Sequence, residues 1–186
     1  MIEGPIIPLK EDGGSSVSFV LTAKKALIDQ TDEIVYDYVN DGAGIPFNYQ
    51  DFYGKISLLA GNGSKVNLFG FSYDDGVNFD IADFSWKSSG GGMDFTLVPS
   101  NSNTIVNGVF TFSGYDSKIQ DAEDKPRESG ISGYFGGLNF TNFGRNSELK
   151  YGLELTGFRT DFQFVNFNDV TLEQFEYTTE IAVFLR

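Results

Sequence analysis

The chain has no cysteine and no histidine among its 186 residues. Without thiols there is no disulfide framework, no thiolate metal site and no cysteine nucleophile. Without imidazole there is no Ser-His-Asp or Cys-His catalysis and no histidine-ligated zinc. Paired carboxylates are the simple catalytic option that remains. Basic residues are also scarce: 13 Lys and Arg stand against 26 Asp and Glu, for a net charge of −13. That balance excludes nucleic acid as a partner, because phosphate recognition needs a basic footprint. It also opposes electrostatic docking onto an anionic lipid surface. No stretch approaches the roughly 20 apolar residues of a membrane helix. The N-terminal Met1-Ile2-Glu3-Gly4-Pro5 has neither a basic start nor an apolar run, so it does not read as a secretory leader.

Glycine (22), phenylalanine (19) and tyrosine (9) are abundant, whereas proline is held to 5. That mixture suits many extended strands joined by tight turns. Period-two alternation locates them, at about 2–9, 15–27, 51–60, 64–74, 83–98, 104–115, 130–143, 147–164 and 175–186. The clearest case sets Leu149, Tyr151, Leu153 and Leu155 against Lys150, Gly152, Glu154 and Thr156. The last segment repeats it, with Phe175, Tyr177, Ile181, Val183 and Leu185 opposing Glu176, Thr178, Glu180 and Arg186. A pair of segments fits less well. In 64–74 both faces carry apolar groups, Val66 and Leu68 on one, Phe69, Phe71 and Tyr73 on the other. In 83–98, Gly90-Gly91-Gly92 interrupts the pattern and suggests a bulge or a close backbone contact. Thr31 to Tyr38 opens with an N-cap residue and early acids, which predicts a short helix inside the first connection.

The turns carry the strongest architectural signal. Short ones fall at 10–14, 61–63, 99–103 and 144–146; long acidic connections are expected at about 28–50, 74–82, 116–129 and 165–174. Short turns at one end of every hairpin and long loops at the other are the habit of outer-membrane barrels. A membrane strand needs only about 9–11 residues with every second one apolar, so an unremarkable mean hydropathy is no obstacle. The fold expected is all-β: an antiparallel up-and-down β-barrel of transmembrane type, or a segment of one, with about 8–10 strands in a single domain. Aromatic residues near strand ends (Phe52, Tyr53, Tyr73, Phe84, Trp86, Phe112, Tyr115, Phe140, Phe143, Tyr151, Phe162, Phe164) fit interfacial girdles. The alternative is that they are simply good strand residues filling the core of a water-soluble sheet. Nine strands are odd, whereas closed bacterial single-chain barrels are even, which favours an incomplete wall.

The carboxylates cluster toward the long connections, where one sign of charge would focus a field around a mouth or simply keep the segments wet. The binding residues expected there are Tyr73, Asp74, Asp75, Asp121, Glu123 and Asp124. Tyr73-Asp74-Asp75-Gly76 and 121–124 offer oxygen ligands, but neither has EF-hand spacing, so no metal site is assigned. Gly61-Asn62-Gly63-Ser64-Lys65 lacks the spacing of a phosphate loop and reads as a hairpin turn. Asn139-Phe140-Thr141 matches a glycosylation sequon by chance. No motif implies a cofactor, and no catalytic residue is assigned.

Several phrases, in order, resemble TonB-dependent outer-membrane receptors of the large-barrel type abundant in Bacteroidetes. They are Glu3-Gly4-Pro5-Ile6; Phe52-Tyr53-Gly54-Lys55-Ile56-Ser57; the run from Gly61 to Phe71; Ser85-Trp86-Lys87-Ser88-Ser89-Gly90-Gly91-Gly92; and Lys150-Tyr151-Gly152-Leu153-Glu154. The resemblance covers most of the chain and implies an uptake receptor in the outer membrane, its ligand held by extracellular loops. It implies further partners: outer-membrane lipid, a plug domain and the rest of a barrel of about 22 strands, neither of which this sequence contains. A lone wall would expose unpaired edges, so edge-to-edge oligomers are expected of the isolated chain. The alternatives are a soluble or surface β-barrel or sandwich that binds a small ligand or protein, and a membrane-barrel hydrolase using Asp74, Asp75, Asp121 and Asp124.

Overall fold

The computed structural model describes residues 1–10, 13–26, 28, 34–36, 38–39, 44–79, 81–121 and 125–186. Nine strands form one sheet in sequence order. They are β1 (Ile2–Ile7), β2 (Ser16–Lys25), β3 (Phe47–Leu59), β4 (Lys65–Phe79), β5 (Ala82–Leu97), β6 (Thr104–Asp121), β7 (Pro126–Phe143), β8 (Glu148–Val165) and β9 (Thr171–Leu185). Every neighbouring pair is antiparallel, so the fold is the expected up-and-down meander. The sheet is open: β1 pairs only with β2 and β9 only with β8.

Tight hairpins define one end of the sheet, called here the near end, at 60–64, 98–103 and 144–147. At the first, Gly63 takes φ 86°, a left-handed turn conformation that suits glycine. Asn62 accepts a bond from the Ser64 N–H and donates through Nδ2 to the Val98 carbonyl, tying adjacent hairpins together. This is the hairpin turn expected, with strand rather than helix following.

The far end departs from expectation. Two of the connections expected to be long are mostly strand and a third is half strand: β4 runs on to Phe79, β6 to Asp121, β7 starts at Pro126, and β9 starts at Thr171. Only 80–81, 122–125 and 166–170 lie between those strands, leaving 26–46 as the one long connection. The acids read as loop residues instead sit on charged strands, paired across the ladder with lysine: Asp74 with Lys87 at 3.5 Å and Glu128 with Lys118 at 2.9 Å. Of the helix expected at 31–38, positions 31–33 and 37 lie outside the described residues; Ile34 and Val35 have helical backbone. The Gly90-Gly91-Gly92 stretch is not a bulge, since β4 and β5 keep one unbroken register through it. Close backbone contact is the reason for the glycines: a Cβ on Gly92 would stand 2.5 Å from the Phe110 carbonyl oxygen.

The described residues form no hydrophobic core. Among the described residues Ala26 alone is a buried apolar side chain, and Asn67 alone a buried polar one. The accessible surface is 12911 Å², whereas a compact 20.5 kDa monomer exposes about 8,800 Å². The apolar residues therefore lie on the surfaces of the sheet, and no second sheet covers them.

Candidate functional site

Directly opposed residues in an antiparallel ladder share a face, so the register assigns every strand residue to one of two surfaces. On the first face, one ladder row reads Val17, Leu58, Val66, Phe95, Gly108, Leu138, Leu153 and Val183. The next row toward the far end reads Phe19, Ile56, Leu68, Met93, Phe110, Gly136, Leu155 and Ile181. Neither row contains a charge or a hydrogen-bonding side chain. Yet these side chains are open to the surroundings: Leu153 is 45% exposed and Val183 79%. From Leu149 to Leu155, or Val106 to Phe112, the band is roughly 20 Å tall along the strand.

The band has aromatic borders. At its near edge the rings of Phe140 and Tyr151 stack at 5.0 Å, 9° from parallel. At its far edge stand Phe52, Phe112 and Tyr134, all on the same face. Other aromatics expected in a girdle (Tyr53, Tyr73, Phe84, Trp86, Tyr115, Phe143, Phe162 and Phe164) project from the opposite face, so they belong to a different feature. The far border also descends across the sheet. It includes Ala23 and Phe52 on β2 and β3, retreats to Phe112 and Tyr134 on β6 and β7, and ends at Leu155 and Ile181 on β8 and β9. Strands tilted in a barrel wall make a level boundary drift through the register in this way.

The second face is polar at the same height. Ser57 Oγ donates to Asn67 Oδ1 at 2.8 Å, and Asn67 Nδ2 donates to Asp94 Oδ1 at 2.7 Å. Thr96 Oγ1 donates to Asn107 Oδ1 at 2.8 Å. Lys55, Glu154 and Glu180 share this face.

Beyond the band the two faces exchange character. The first face becomes charged, with Asp74, Lys87, Asp116 and Asp161 in one row and Lys118 and Glu128 in the next. The second becomes aromatic: Tyr49, Tyr53, Phe71, Tyr73, Phe84, Trp86, Phe162 and Phe164. Phe71 and Tyr73 stack at 5.3 Å, and the Arg127 guanidinium lies 5.0 Å from the centre of the Phe164 ring. No register slip accompanies the exchange in β4 to β8.

The expected binding residues that are described do not all share one face. Tyr73 and Asp75 are on the second face of β4 and Asp74 is on the first, ion-paired with Lys87. Asp121 ends β6, while Glu123 and Asp124 lie outside the described residues. Among the described residues no cluster of three or more carboxylates is placed to hold a metal ion. Asp75 sits between Tyr49 and Trp86 across the ladder. Its carboxyl is pushed above the ordinary aspartate range, first by desolvation, then by the charges of Asp51 and Asp74. The aromatic surface around it went unread in the sequence. Its signal was the second apolar face noticed at Phe69, Phe71 and Tyr73.

Comparison with known proteins found no matching family model, no matching curated protein and no matching solved structure.

Proposed function

We propose that the chain is a wall of an outer-membrane transport barrel of the TonB-dependent kind, the first face turned to lipid and the second to the lumen. The carrying observation is the uncharged, exposed band crossing β2 to β9 on one face while hydrogen-bonded polar groups occupy the other. Water would penalise such a surface, and a monomeric soluble protein seldom exposes an apolar patch of this extent. Hydrocarbon favours it. A height of roughly 20 Å with aromatic borders agrees with the roughly 25 Å apolar band of membrane barrels.

Strand length adds support. β6, β7 and β8 each have 18 residues, whereas about 9–11 suffice to cross. The surplus lies at the far end, where the outward face turns charged, as a wall standing clear of the membrane requires. The aromatic second face at that end is then the mouth of the lumen, facing an incoming nutrient ligand. Closure needs further strands. β1 and β9 run in the same direction, so an antiparallel barrel that contains this sheet must add an odd number of strands between them.

The absence of native cysteine makes the test direct. In lipid bilayers, Leu153→Cys should resist a membrane-impermeant maleimide, while Glu154→Cys reacts. Equal labelling of both, or a chain that stays monodisperse without detergent, would overturn the reading.

A further inference from the structure

We infer that the far end of the second face binds a small organic cation, its ammonium group held between the Asp51 and Asp75 carboxylates and the aromatic rings that frame them. This rests on the lumen orientation proposed above and names the chemistry of the ligand that meets this face. The β3–β4 register sets Tyr49 opposite Asp75 and Asp51 opposite Tyr73. The four residues form a square on one face, with the carboxylates on one diagonal and the phenol rings on the other. Directly opposed Cβ atoms of a ladder stand about 5 Å apart and diagonal ones about 7–8 Å. Both carboxylates are thus within reach of one ammonium over the centre of the square. Trp86 of β5 closes the side beside Asp75, and Tyr53 follows Asp51 along β3 on the same face. The corner rings are braced from behind: Tyr73 stacks on Phe71 at 5.3 Å, and Tyr49 lies 5.7 Å from Phe47.

The charge of the square is uncompensated. Among the described residues neither carboxylate makes an ion pair or a hydrogen bond. Lys24 faces Asp51 from β2 without pairing with it, and Lys55 lies four residues farther along β3, about 13 Å away. Lys87 and its partner Asp74 belong to the opposite face. Desolvation, then the charges of Asp51 and Asp74, hold the Asp75 carboxyl above the ordinary aspartate range, as expected where positive charge is lacking. Aromatic faces carry negative potential and attract ammonium groups, most strongly at tryptophan. A bare divalent ion would need more oxygen ligands than two carboxylates supply, and an anion would be repelled. Paired acids framed by tyrosine and tryptophan therefore select a cation with a carbon skeleton, which can use both the charge and the rings.

Trp86 is the single tryptophan of the chain, so its fluorescence reports on the site directly. The test uses the full chain in non-ionic maltoside micelles, titrated with choline. The controls are choline's neutral isostere, in which a tert-butyl group replaces the trimethylammonium, and sodium chloride at equal ionic strength. Choline should shift the Trp86 emission saturably and bind about tenfold more tightly than the isostere, while the salt gives no saturable change. Asp75→Asn keeps the shape, removes the charge and should weaken choline about tenfold. Tyr49→Leu leaves both acids in place and should weaken it about fivefold, which separates ring contact from bulk attraction. Lys24→Gln removes the competing cation and should tighten binding. Equal affinity for choline and the isostere, or unchanged affinity in Asp75→Asn, overturns the inference. So does an unresponsive Trp86 in the parent chain: if Leu153→Cys is shielded the lumen reading stands without the site, and if it is freely labelled both fall.

Discussion

Tyr134 and Gly157 face one another across the β7–β8 ladder, and the phenol ring occupies the space of the side chain that Gly157 lacks. A Cβ on Gly157 would stand 2.5 Å from the tyrosine Oη. Phe95 covers Gly108 in the same manner on β5 and β6. An aromatic laid on a cross-strand glycine restores packing that glycine forfeits, and it lets a bulky ring lie flat at the band's edge.

Glycine substitutions should therefore sort by what the new methyl meets. At Gly157 it meets the far end of a side chain, which can swing aside, so Gly157→Ala should cost about 1 kcal/mol. At Gly92 it meets the backbone of Phe110 and Thr111, which cannot move without breaking the ladder; Gly92→Ala should cost about 3 kcal/mol. Gly70→Ala meets nothing closer than 3.6 Å and should be neutral or stabilise by up to about 1 kcal/mol through the unfolded chain. Urea unfolding midpoints in detergent, at constant m, rank the three.

Asn67 is the most buried polar group described, at 4% exposure, and it links Ser57 to Asp94 across β3, β4 and β5. Asn67→Ala removes the donor to a carboxylate and the acceptor for a hydroxyl at once. The expected loss is about 2–3 kcal/mol, because the bond to a charged group is the stronger of the pair. Ser57→Ala should cost less, about 1 kcal/mol. A double-mutant cycle between Asn67 and Asp94 should give a coupling above about 0.5 kcal/mol; additivity of the two losses would show that the bond contributes nothing.

The up-and-down fold was legible because period-two alternation is a backbone property and survives in any solvent. Leu149 to Leu155 marked the apolar row of the first face directly. Faces were harder to read past the band. From 149 to 155 the apolar residues fall on odd positions, then Phe158, Phe162 and Phe164 fall on even ones. In a one-solvent protein that phase change implies a bulge. Here the ladder is continuous and the two faces exchange character instead, the first from apolar to charged and the second from polar to aromatic. The same exchange accounts for the two apolar faces of 64–74. Strand ends were misplaced for a related reason. Asp74, Asp116 and Glu128 signal loop by composition, and only the cross-strand lysines, remote in sequence, show that they continue a sheet.

The raised carboxyl of Asp75 predicts a pH dependence with a definite sign. A native value above the unfolded one means the folded chain holds the proton more tightly. That contribution to stability is complete below the unfolded aspartate range and is lost as pH rises through the native value. At neutral pH the ionised group is a burden, desolvated first and then repelled by Asp51 and Asp74. Asp75→Asn should raise the unfolding midpoint at neutral pH and remove the part of the stability profile that falls as pH rises through the native Asp75 value. A midpoint that falls at neutral pH, or an unchanged decline with rising pH, would contradict this origin for the shift.

The free edge of β9 offers the last test. Its outer backbone groups have no partner strand, and Ile181, Val183 and Leu185 on the first face are 73%, 79% and 74% exposed. An unpaired edge flanked by apolar side chains is a template for another chain, and lipid cannot satisfy its hydrogen bonds. In detergent, the isolated chain should associate with increasing concentration through this edge. Ile181→Lys with Val183→Lys places charge beside the edge and should shift sedimentation toward monomer, weakening association about tenfold or more. The same pair of changes at Leu58 and Leu68, inside the sheet and away from either edge, should leave the self-association unchanged while weakening insertion into bilayers. Equal loss of association from both pairs would mean that the chains meet face to face through the apolar band, not strand to strand.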